Sequence, residues 1–214
     1  KHRLINMKYL LAFLLIPALV RAENITVKGS DTMVIIGQKW AELYMKAKPG
    51  TTVQVTGGGS GTGIAALLNG STDICNSSRP MKPAEIADFI KKNKTRPHEY
   101  KMCFDALSVY VNKDNPVEKL SFPQLEAIYT GKITNWKAVG GPDAPISLYG
   151  RENSSGTYEF FKEHVLQKKD FAAATKTMPG TAAVIQGVAK DANGIGFGGM
   201  SFSVNRSAIS AQCG

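Results

Sequence analysis

The chain has 214 residues, of which 43% are hydrophobic, and it carries a formal net charge of +9 at pH 7. This length suits one domain of ordinary size or two small ones, and the apolar content is normal for a globular protein with a real core. No run of lysines and arginines is interleaved with aromatic residues, so the basic charge gives little support for binding to nucleic acid, and no nucleic-acid partner is predicted.

The N-terminal segment is typical of a secretory signal peptide. From Met7 it has a basic residue, an apolar run and a Val-x-Ala ending at Ala22. The apolar run is short for a membrane span, which needs about 20 residues, and it contains Pro17. We therefore predict that residues 1–22 are upstream residues and a cleaved signal peptide; a retained anchor is the alternative. Removing the four basic residues of this segment leaves a net charge of +5.

The first half of the mature chain repeats a unit of strand, turn and helix. The alternating strand NITVKG precedes TMVIIGQKWAELYMKAKPG, whose apolar residues recur every three or four positions and predict a helix. Val53 and Val55 mark a second strand, followed by glycines and a short apolar helix that ends at Asn69 and Gly70. A short strand in TDICNSS then leads to a helix near Pro83. Its buried face is predicted to comprise Ile86, Phe89 and Ile90.

The second half continues this alternation. ALSVYVNKD has strong strand propensity, and a helix is predicted from Pro123 to a stop at Gly131. PISLYGRENSSGTYEFFKEHVLQ again gives a strand, a turn with hydroxyl residues and a helix, and TAAVIQGVAK forms a helix before the glycine-rich strand GIGFGG. Such alternation predicts an α/β architecture with largely parallel sheets and right-handed crossovers. No flexible linker divides the chain, and a boundary is predicted between 104 and 107.

Three turns share one design: VKGSDT, VTGGGSGTG and RENSSGT each precede a helix. Each places serine or threonine at a helix N-terminus, where backbone N–H groups lack intrahelical partners and the macrodipole is positive. Glycines let the backbone approach a ligand closely, and Arg79 and Arg151 add planar forks of donors that match oxyanions. Ordinary helix capping explains any one turn, but three together with two arginines predict an anion site.

Catalytic and metal-binding patterns are absent from the sequence. Ile64 stands where a P-loop requires lysine, and Thr62 breaks both the dinucleotide-binding fingerprint and the esterase G-x-S-x-G motif. His98 and His164 lie in contexts typical of surface or packing residues, and no His, Cys and carboxylate cluster has zinc spacing. We predict no catalytic residues, no metal, no cofactor and no enzymatic activity.

The cysteines leave one covalent feature open. The chain has three of them, Cys75, Cys103 and Cys213, which is an odd number for an exported protein. A disulfide between Cys75 and Cys103 is compatible with an oxidising compartment, but spacing alone does not establish connectivity.

Together, the motifs resemble those of the phosphate-binding proteins of bacterial ABC-type phosphate uptake. The matching stretches are ITVKGSDT, VTGGGSGTGI, DICNSSRPM, YTGKITNW, RENSSGTYEFF and NGIGFGGM, and their order and spacing are specific. The resemblance implies an α/β, two-lobe periplasmic-binding-protein-like fold of type II, with an anion site in the cleft between the lobes. It implies lobe 1 over 23–105, lobe 2 over 106–200 and an atypical tail over 201–214, with a return segment of lobe 1 missing.

The resemblance also implies the ligand set. Carried over position by position, the phosphate-binding residues are Thr32, the N–H of Met33, Ser60, Ser78, Arg79, Arg151, Ser155, Gly156 and Thr157. Family members place aspartate where this chain has Ser78. Serine can accept a hydrogen bond from a protonated anion but adds no repulsive charge, which weakens the expected preference for phosphate over sulfate. Asp31 could supply the acceptor, although helix capping is its more ordinary role.

The predicted function is therefore that of an exported, periplasmic solute-binding protein. It would capture inorganic phosphate as a monomer and deliver it to a membrane ABC permease. One alternative is a receptor for another oxyanion, such as sulfate, molybdate or a phosphonate. A secreted phosphatase is a further alternative, but the sequence offers no base near Ser60 or Ser155.

Overall fold

A computed structural model describes residues 23–202 and 208–209, which form two sheets flanked by helices. We call the part built on the first sheet the first lobe and the part built on the second sheet the second lobe. The predicted signal peptide lies outside the described residues, as does Cys213. In the described part of the chain, no helix has the length and apolar character needed to cross a membrane.

The first lobe has a parallel three-stranded sheet in the order β2-β1-β3. Its helices connect consecutive strands, as the alternation of the sequence predicts. Its elements are β1 (Glu23–Gly29), α1 (Val34–Ala47), β2 (Thr51–Thr56), α2 (Ser60–Asn69), β3 (Ile74–Asn76) and α3 (Pro83–Asn93). The start of α3 is fixed by Pro83 at its first position and by Glu85, whose side chain accepts from the Lys82 N–H at 2.7 Å.

The second lobe has a five-stranded sheet in the order β6-β5-β7-β4-β8. Its elements are β4 (Leu107–Val111), α4 (Phe122–Tyr129), β5 (Ser147–Arg151), α5 (Gly156–His164), β6 (Lys176–Met178), α6 (Gly180–Lys190), β7 (Gly194–Gly199) and β8 (Ala208–Ile209). No strand was predicted at β6. Residues 208–209 lie in the segment predicted as an atypical tail, yet they pair with β4.

The expectation of largely parallel sheets is correct for the first lobe and wrong for half of the second. β5 pairs in parallel with β6 and β7, but β4 runs antiparallel to both β7 and β8. The rule that crossovers join parallel strands applies to strands linked by one helix. β4 has no such link to β7, because β5 and β6 intervene in the chain, so its direction was not determined by the local alternation.

The apolar core of the described residues lies in the second lobe. Trp136, Tyr129, Phe161 and Phe197 are fully buried, and the rings of Phe161 and Phe197 stack with centroids 4.0 Å apart. A second cluster joins Tyr110 and Tyr149 to α6. Burial of large aromatic side chains makes this lobe the more strongly stabilised part of the molecule.

The first lobe buries far less. No residue of α3 is buried, so the predicted buried face is wrong: Ile86 and Phe89 are half-buried, and Ile90 is 39% exposed. Each has the helical spacing of a core residue, but little of the described chain packs on that side of α3. Cys75 and Cys103 are both free, so the disulfide compatible with the sequence is absent between them, and partial burial raises the pKa of the Cys75 thiol to about 11, which favours its protonated form near pH 7.

Candidate anion-binding site

The predicted site residues follow the carboxyl ends of parallel strands. Arg151 is the last residue of β5, while Asp31, Ser60 and Ser78 come soon after β1, β2 and β3 respectively. In open α/β sheets, ligands bind in the crevice outside these strand ends. The sheets of both lobes direct these ends towards one another, so residues far apart in sequence meet between the lobes.

The backbone of the second turn contacts the second lobe directly. The Gly61 N–H donates to the Ser154 carbonyl at 2.9 Å. Gly59 has a φ of 91°, and a β-carbon added there would lie 2.7 Å from the same carbonyl oxygen. Only glycine allows this backbone conformation and this close approach without strain. The glycines of the turn therefore let the two lobes come into contact.

Ser60, Ser78 and Gly156 form a compact cluster between the lobes. The hydroxyl oxygens of Ser60 and Ser78 are 3.2 Å apart, and the Ser78 N–H donates to Ser60 Oγ at 3.1 Å. A β-carbon added at Gly156 would lie 2.5 Å from each hydroxyl oxygen, which places the first residue of α5 against both serines. Ser60 is fully buried. The cluster thus brings two hydroxyl groups to the N-terminus of a helix.

The start of α5 supplies further donors. Ser155 caps the helix by accepting from the Tyr158 N–H at 3.3 Å, and Thr157 follows in the first turn. Both are buried, as is Arg151. The N–H groups of a first helical turn have no intrahelical acceptors, and the helix dipole favours negative charge there. This turn is suited to an anion of small size.

Arg151 is held by three acceptors. Its Nη1 donates to Thr181 Oγ1 at 3.0 Å, its Nη2 pairs with Asp31 Oδ2 at 2.6 Å, and its Nε lies 3.3 Å from Glu152 Oε2. A guanidinium has five N–H groups. Two of them remain in addition to these contacts with described residues, so Arg151 can donate to a ligand while its position stays fixed.

Asp31 connects the lobes and does not cap a helix. Its Oδ1 accepts from the Gly58 N–H at 2.9 Å, while its Oδ2 pairs with Arg151 of the second lobe. Neither the short 3-10 turn at Asp31 nor α1 has a side-chain cap. The capping role that the sequence favoured is therefore wrong, because the carboxylate has stronger charged and backbone donors nearby.

Thr32 and Met33 lie at the interface but have other partners. Thr32 Oγ1 is 2.8 Å from Ser30 Oγ, and the Met33 N–H donates to the Ser30 carbonyl at 3.2 Å. Within the described residues, no hydrogen bond joins either residue to the Ser60 cluster. The structure thus brings the second and third turns together, and the first turn joins them through Asp31 and through the Gly29 carbonyl, which accepts from the Gly59 N–H at 3.0 Å.

Arg79 is directed away from the serine cluster. Its Nη1 and Nη2 donate to the two oxygens of Glu85 at 2.8 Å each, and its Nε lies 2.8 Å from Glu159 Oε2. These contacts raise the pKa of Arg79, mainly through the hydrogen bond to Glu85, and lower that of Glu85. Two carboxylates attract its charge more strongly than the neutral serines do, so the structure does not place Arg79 with the predicted anion ligands.

Several residues at this interface were not predicted. Thr181 holds Arg151, Ser154 accepts from the second turn, and Lys82 and Glu159 pair across the lobes at 2.7 Å. Their partners are distant in sequence, and single threonines, serines and surface charges have no distinguishing pattern. Among the described residues, no group of three or more His, Cys, Asp or Glu side chains is arranged to hold a metal ion.

Comparison with known proteins places this arrangement in a family. The family model described as a PBP superfamily domain matches residues 20–212. The chain belongs to this superfamily. Its α/β fold with two lobes is the type II periplasmic-binding-protein fold, which solved structures of similar proteins share.

Named relatives include two curated proteins. The chain is 34% identical over 191 residues to the phosphate-binding protein PstS of Pseudomonas aeruginosa. The aligned region covers 84% of this chain and 59% of that protein. It is 36% identical to protein SphX of Synechococcus elongatus, over 83% of this chain and 54% of that one. The chain therefore spans between a half and three-fifths of the length of these relatives.

Two solved structures show the same fold. A substrate-binding protein from Clostridium perfringens, solved with bound phosphate, superposes with a TM-score of 0.81 at 29% identity, covering 89% of this chain and 75% of the other. An ABC-type phosphate transport receptor from Vibrio cholerae gives a TM-score of 0.66 at 33% identity, covering 88% and 75%.

Proposed function

We propose that this protein binds inorganic phosphate between its two lobes. The observation that carries the proposal is the meeting of Ser60, Ser78 and the first turn of α5, in a turn that Asp31 links to the buried Arg151. Neutral hydroxyl and N–H donors with one guanidinium can replace the water shell of a small tetrahedral anion. The names of similar proteins, phosphate-binding protein PstS among them, support the same ligand.

Binding depends on closure of the lobes. The Ser60 and Ser78 hydroxyls contact each other and Gly156 in this arrangement. An anion enters when the lobes separate. Its oxygens then accept hydrogen bonds from the Ser60 and Ser78 hydroxyls, which replace the contact between the two serines. Ser60, Ser78, Ser155, Thr157, the Gly156 N–H and Arg151 are the proposed ligands. Thr32 and the Met33 N–H remain predicted donors from the first turn, and closure excludes solvent from the bound anion.

Asp31 is proposed to limit which anions bind. Its carboxylate lies 2.6 Å from Arg151, so it offsets the only guanidinium in the proposed ligand set. An anion that carries a proton can donate it to this carboxylate, whereas a fully ionised one is repelled. Ser78 supplies no such charge. If Asp31 does not contact the anion, a receptor for sulfate or another oxyanion is the second candidate.

The cellular role is proposed from the predicted signal peptide and from the names of similar proteins, which include phosphate ABC transporter components. The protein is exported, acts in the periplasm as a monomer without a cofactor, and passes phosphate to a membrane ABC permease. We propose no catalytic turnover. Among the described residues, no hydrogen bond joins the hydroxyl of Ser60 or Ser155 to a histidine, a lysine or a carboxylate, the side chains that serve as the general base of such a nucleophile.

Calorimetric titration with phosphate tests the proposal. We expect tight binding with one anion per chain, lost by at least about 100-fold in Arg151→Ala because a desolvated charge-assisted contact is removed. Arg151→Lys retains the charge but not the fork of donors and so separates the two contributions, and Arg96→Ala removes a matching charge from an exposed position. Absence of phosphate binding by the folded chain would overturn the proposal. The second candidate would be favoured if sulfate competed with phosphate equally well in the parent protein, and if Asp31→Asn did not improve the binding of sulfate.

A further inference from the structure

Close to the proposed site, one carboxylate of the second lobe forms ion pairs with two basic side chains of the first lobe. Glu159 lies in the first turn of α5. Its Oε1 is 2.7 Å from Lys82 Nζ, and its Oε2 is 2.8 Å from Arg79 Nε. We call Arg79, Lys82, Glu85 and Glu159 the interlobe ion cluster.

The first-lobe side of this cluster is held rigidly. Glu85 occupies the third position of α3, where its side chain accepts from the Lys82 N–H at 2.7 Å. The same carboxylate binds both terminal nitrogens of Arg79, and Arg79 Nη1 also donates to the Pro80 carbonyl at 2.9 Å. A bidentate arginine–carboxylate pair fixes geometry as well as charge. Arg79 is therefore oriented before it meets Glu159.

Burial distinguishes this cluster from an ordinary surface ion pair. The side chains of Arg79 and Glu159 are 10% and 26% exposed, whereas Lys82 is 55% exposed. Exposed pairs contribute little because water and salt screen them, but partly desolvated pairs interact more strongly. The Arg79–Glu159 contact is an ion pair without hydrogen-bond alignment at Nε. Its contribution is electrostatic and depends on the lobes staying together.

We propose that Glu159 is a positioning residue whose pairing with Arg79 and Lys82 stabilises the closed arrangement of the lobes and thereby sets the affinity for phosphate. This inference rests on the proposed function and explains why the arginine next to Ser78 does not face the anion. Glu159 shares the first turn of α5 with Gly156 and Thr157, and Arg79 directly follows Ser78. The ion pairs therefore hold together the two segments that contribute donors.

The expected size of the effect follows from the population of the closed state. When only part of the molecules are closed, the apparent dissociation constant is the intrinsic one divided by the closed fraction. Loss of a partly buried ion pair lowers that fraction by about 3- to 10-fold. Because the anion does not touch Glu159, the change arises from faster release, while the association rate stays nearly constant.

The test compares Glu159→Gln with Glu163→Gln. Glu163 lies one turn further along α5, is exposed, and gives the same change of charge. We expect phosphate to bind about 3- to 10-fold more weakly to Glu159→Gln, with faster release and a weaker dependence on salt, and to bind normally to Glu163→Gln. Lys82→Gln, at a more exposed position, should show a smaller change in the same direction. Equal affinities for the two glutamate variants would overturn the inference.

A double-mutant cycle separates positioning from direct binding. If Arg79 acts through Glu159, the combined variant Arg79→Gln and Glu159→Gln loses little more affinity than the single variants. If Arg79 binds the anion directly, the two losses multiply, and the inference is wrong.

A measurement without ligand keeps the inference testable even if phosphate does not bind. Probes attached to exposed Lys92 on α3 and exposed Lys168 beyond α5 report the distance between the lobes. Glu159→Gln should lengthen the mean distance relative to Glu163→Gln. Failure of the parent to bind phosphate would refute the proposed function alone, whereas an unchanged distance would refute the role of Glu159.

Discussion

The two lobes differ in how they bury apolar side chains. In the second lobe, the rings of Tyr129 in α4, Phe161 in α5 and Phe197 in β7 contact one another, and the fully buried Trp136 belongs to the same apolar cluster. In the described part of the first lobe, only Val27, Ala41, Ile64 and Ala66 are buried hydrophobic residues, while Leu43 is 55% and Ile74 is 49% exposed. Stability follows buried apolar area, so the described part of the first lobe depends more on its ion pairs, its caps and its contact with the second lobe.

The largest test of this difference between the lobes is a substitution in the apolar core of the second lobe. Phe197→Ala removes a fully buried ring that stacks on Phe161, and we expect it to lower the free energy of unfolding by about 3–5 kcal/mol. Phe104→Ala removes the same ring from a position that is 99% exposed, and the change should stay within about 0.5 kcal/mol. Denaturant unfolding of both variants measures the difference. Equal losses would contradict the asymmetry.

A substitution at the contact between the lobes should have the next largest effect. Gly156→Ala places a β-carbon 2.5 Å from the Ser60 and Ser78 hydroxyl oxygens. Overpacking of this kind costs about 1–3 kcal/mol, so phosphate affinity should fall by about 10- to 100-fold as closure is hindered. Titration calorimetry measures the affinity, and Gly140→Ala, which strains the backbone at a φ of 85° but brings no atom within 4 Å of the added β-carbon, controls for a loss of stability away from the lobe contact. An unchanged phosphate affinity in Gly156→Ala would show that binding does not require the close contact of Gly156 with Ser60 and Ser78.

The ion pairs of the first lobe predict a pH dependence. The hydrogen bond from Arg79 and that from the Lys82 N–H hold the pKa of Glu85 below its ordinary value of 4.5. A carboxyl group with a lowered folded pKa stabilises the protein above its unfolded pKa, and this stabilisation disappears as the pH falls through the folded value. Glu85→Gln should therefore cost on the order of 1 kcal/mol near pH 7 and progressively less below pH 4.5. Unfolding free energies measured across this range test it, and a pH-independent difference would contradict the cause.

The smallest effect is expected on the exposed face of α1. Leu43→Gln replaces an apolar side chain that is 55% exposed, and the free energy of unfolding should change by no more than about 0.5 kcal/mol. Solubility should increase, because exposed apolar surface promotes association. Light scattering at rising protein concentration measures this. A loss above 1 kcal/mol would mean that the first lobe has a packed core after all.

The sequence predicted the helices, strands and turns better than it predicted which of them lie next to one another in the fold. Periodicity and turn residues located the helices, and the repeated turns led to Ser60, Ser155 and Gly156, because strand–turn–helix units place such residues at one edge of a sheet. The antiparallel direction of β4, the exposure of Ile90 and the pairing of Lys82 with Glu159 depend on segments far apart in the chain. No local pattern encodes such contacts. The phosphate ligand set itself stays a prediction.

The pairing of Asp31 with Arg151 has a consequence for unloading. Each lobe contributes one of the two opposite charges, and the same aspartate also accepts from the Gly58 N–H. Hydrogen bonds lose most of their strength once donor and acceptor exceed about 3.5 Å. If the anion binds as proposed, a separation of the lobes by little more than about one ångström weakens all of its contacts with the opposite lobe at once. A partner protein that separates the lobes would then release the anion in a single step, without itself binding to the anion.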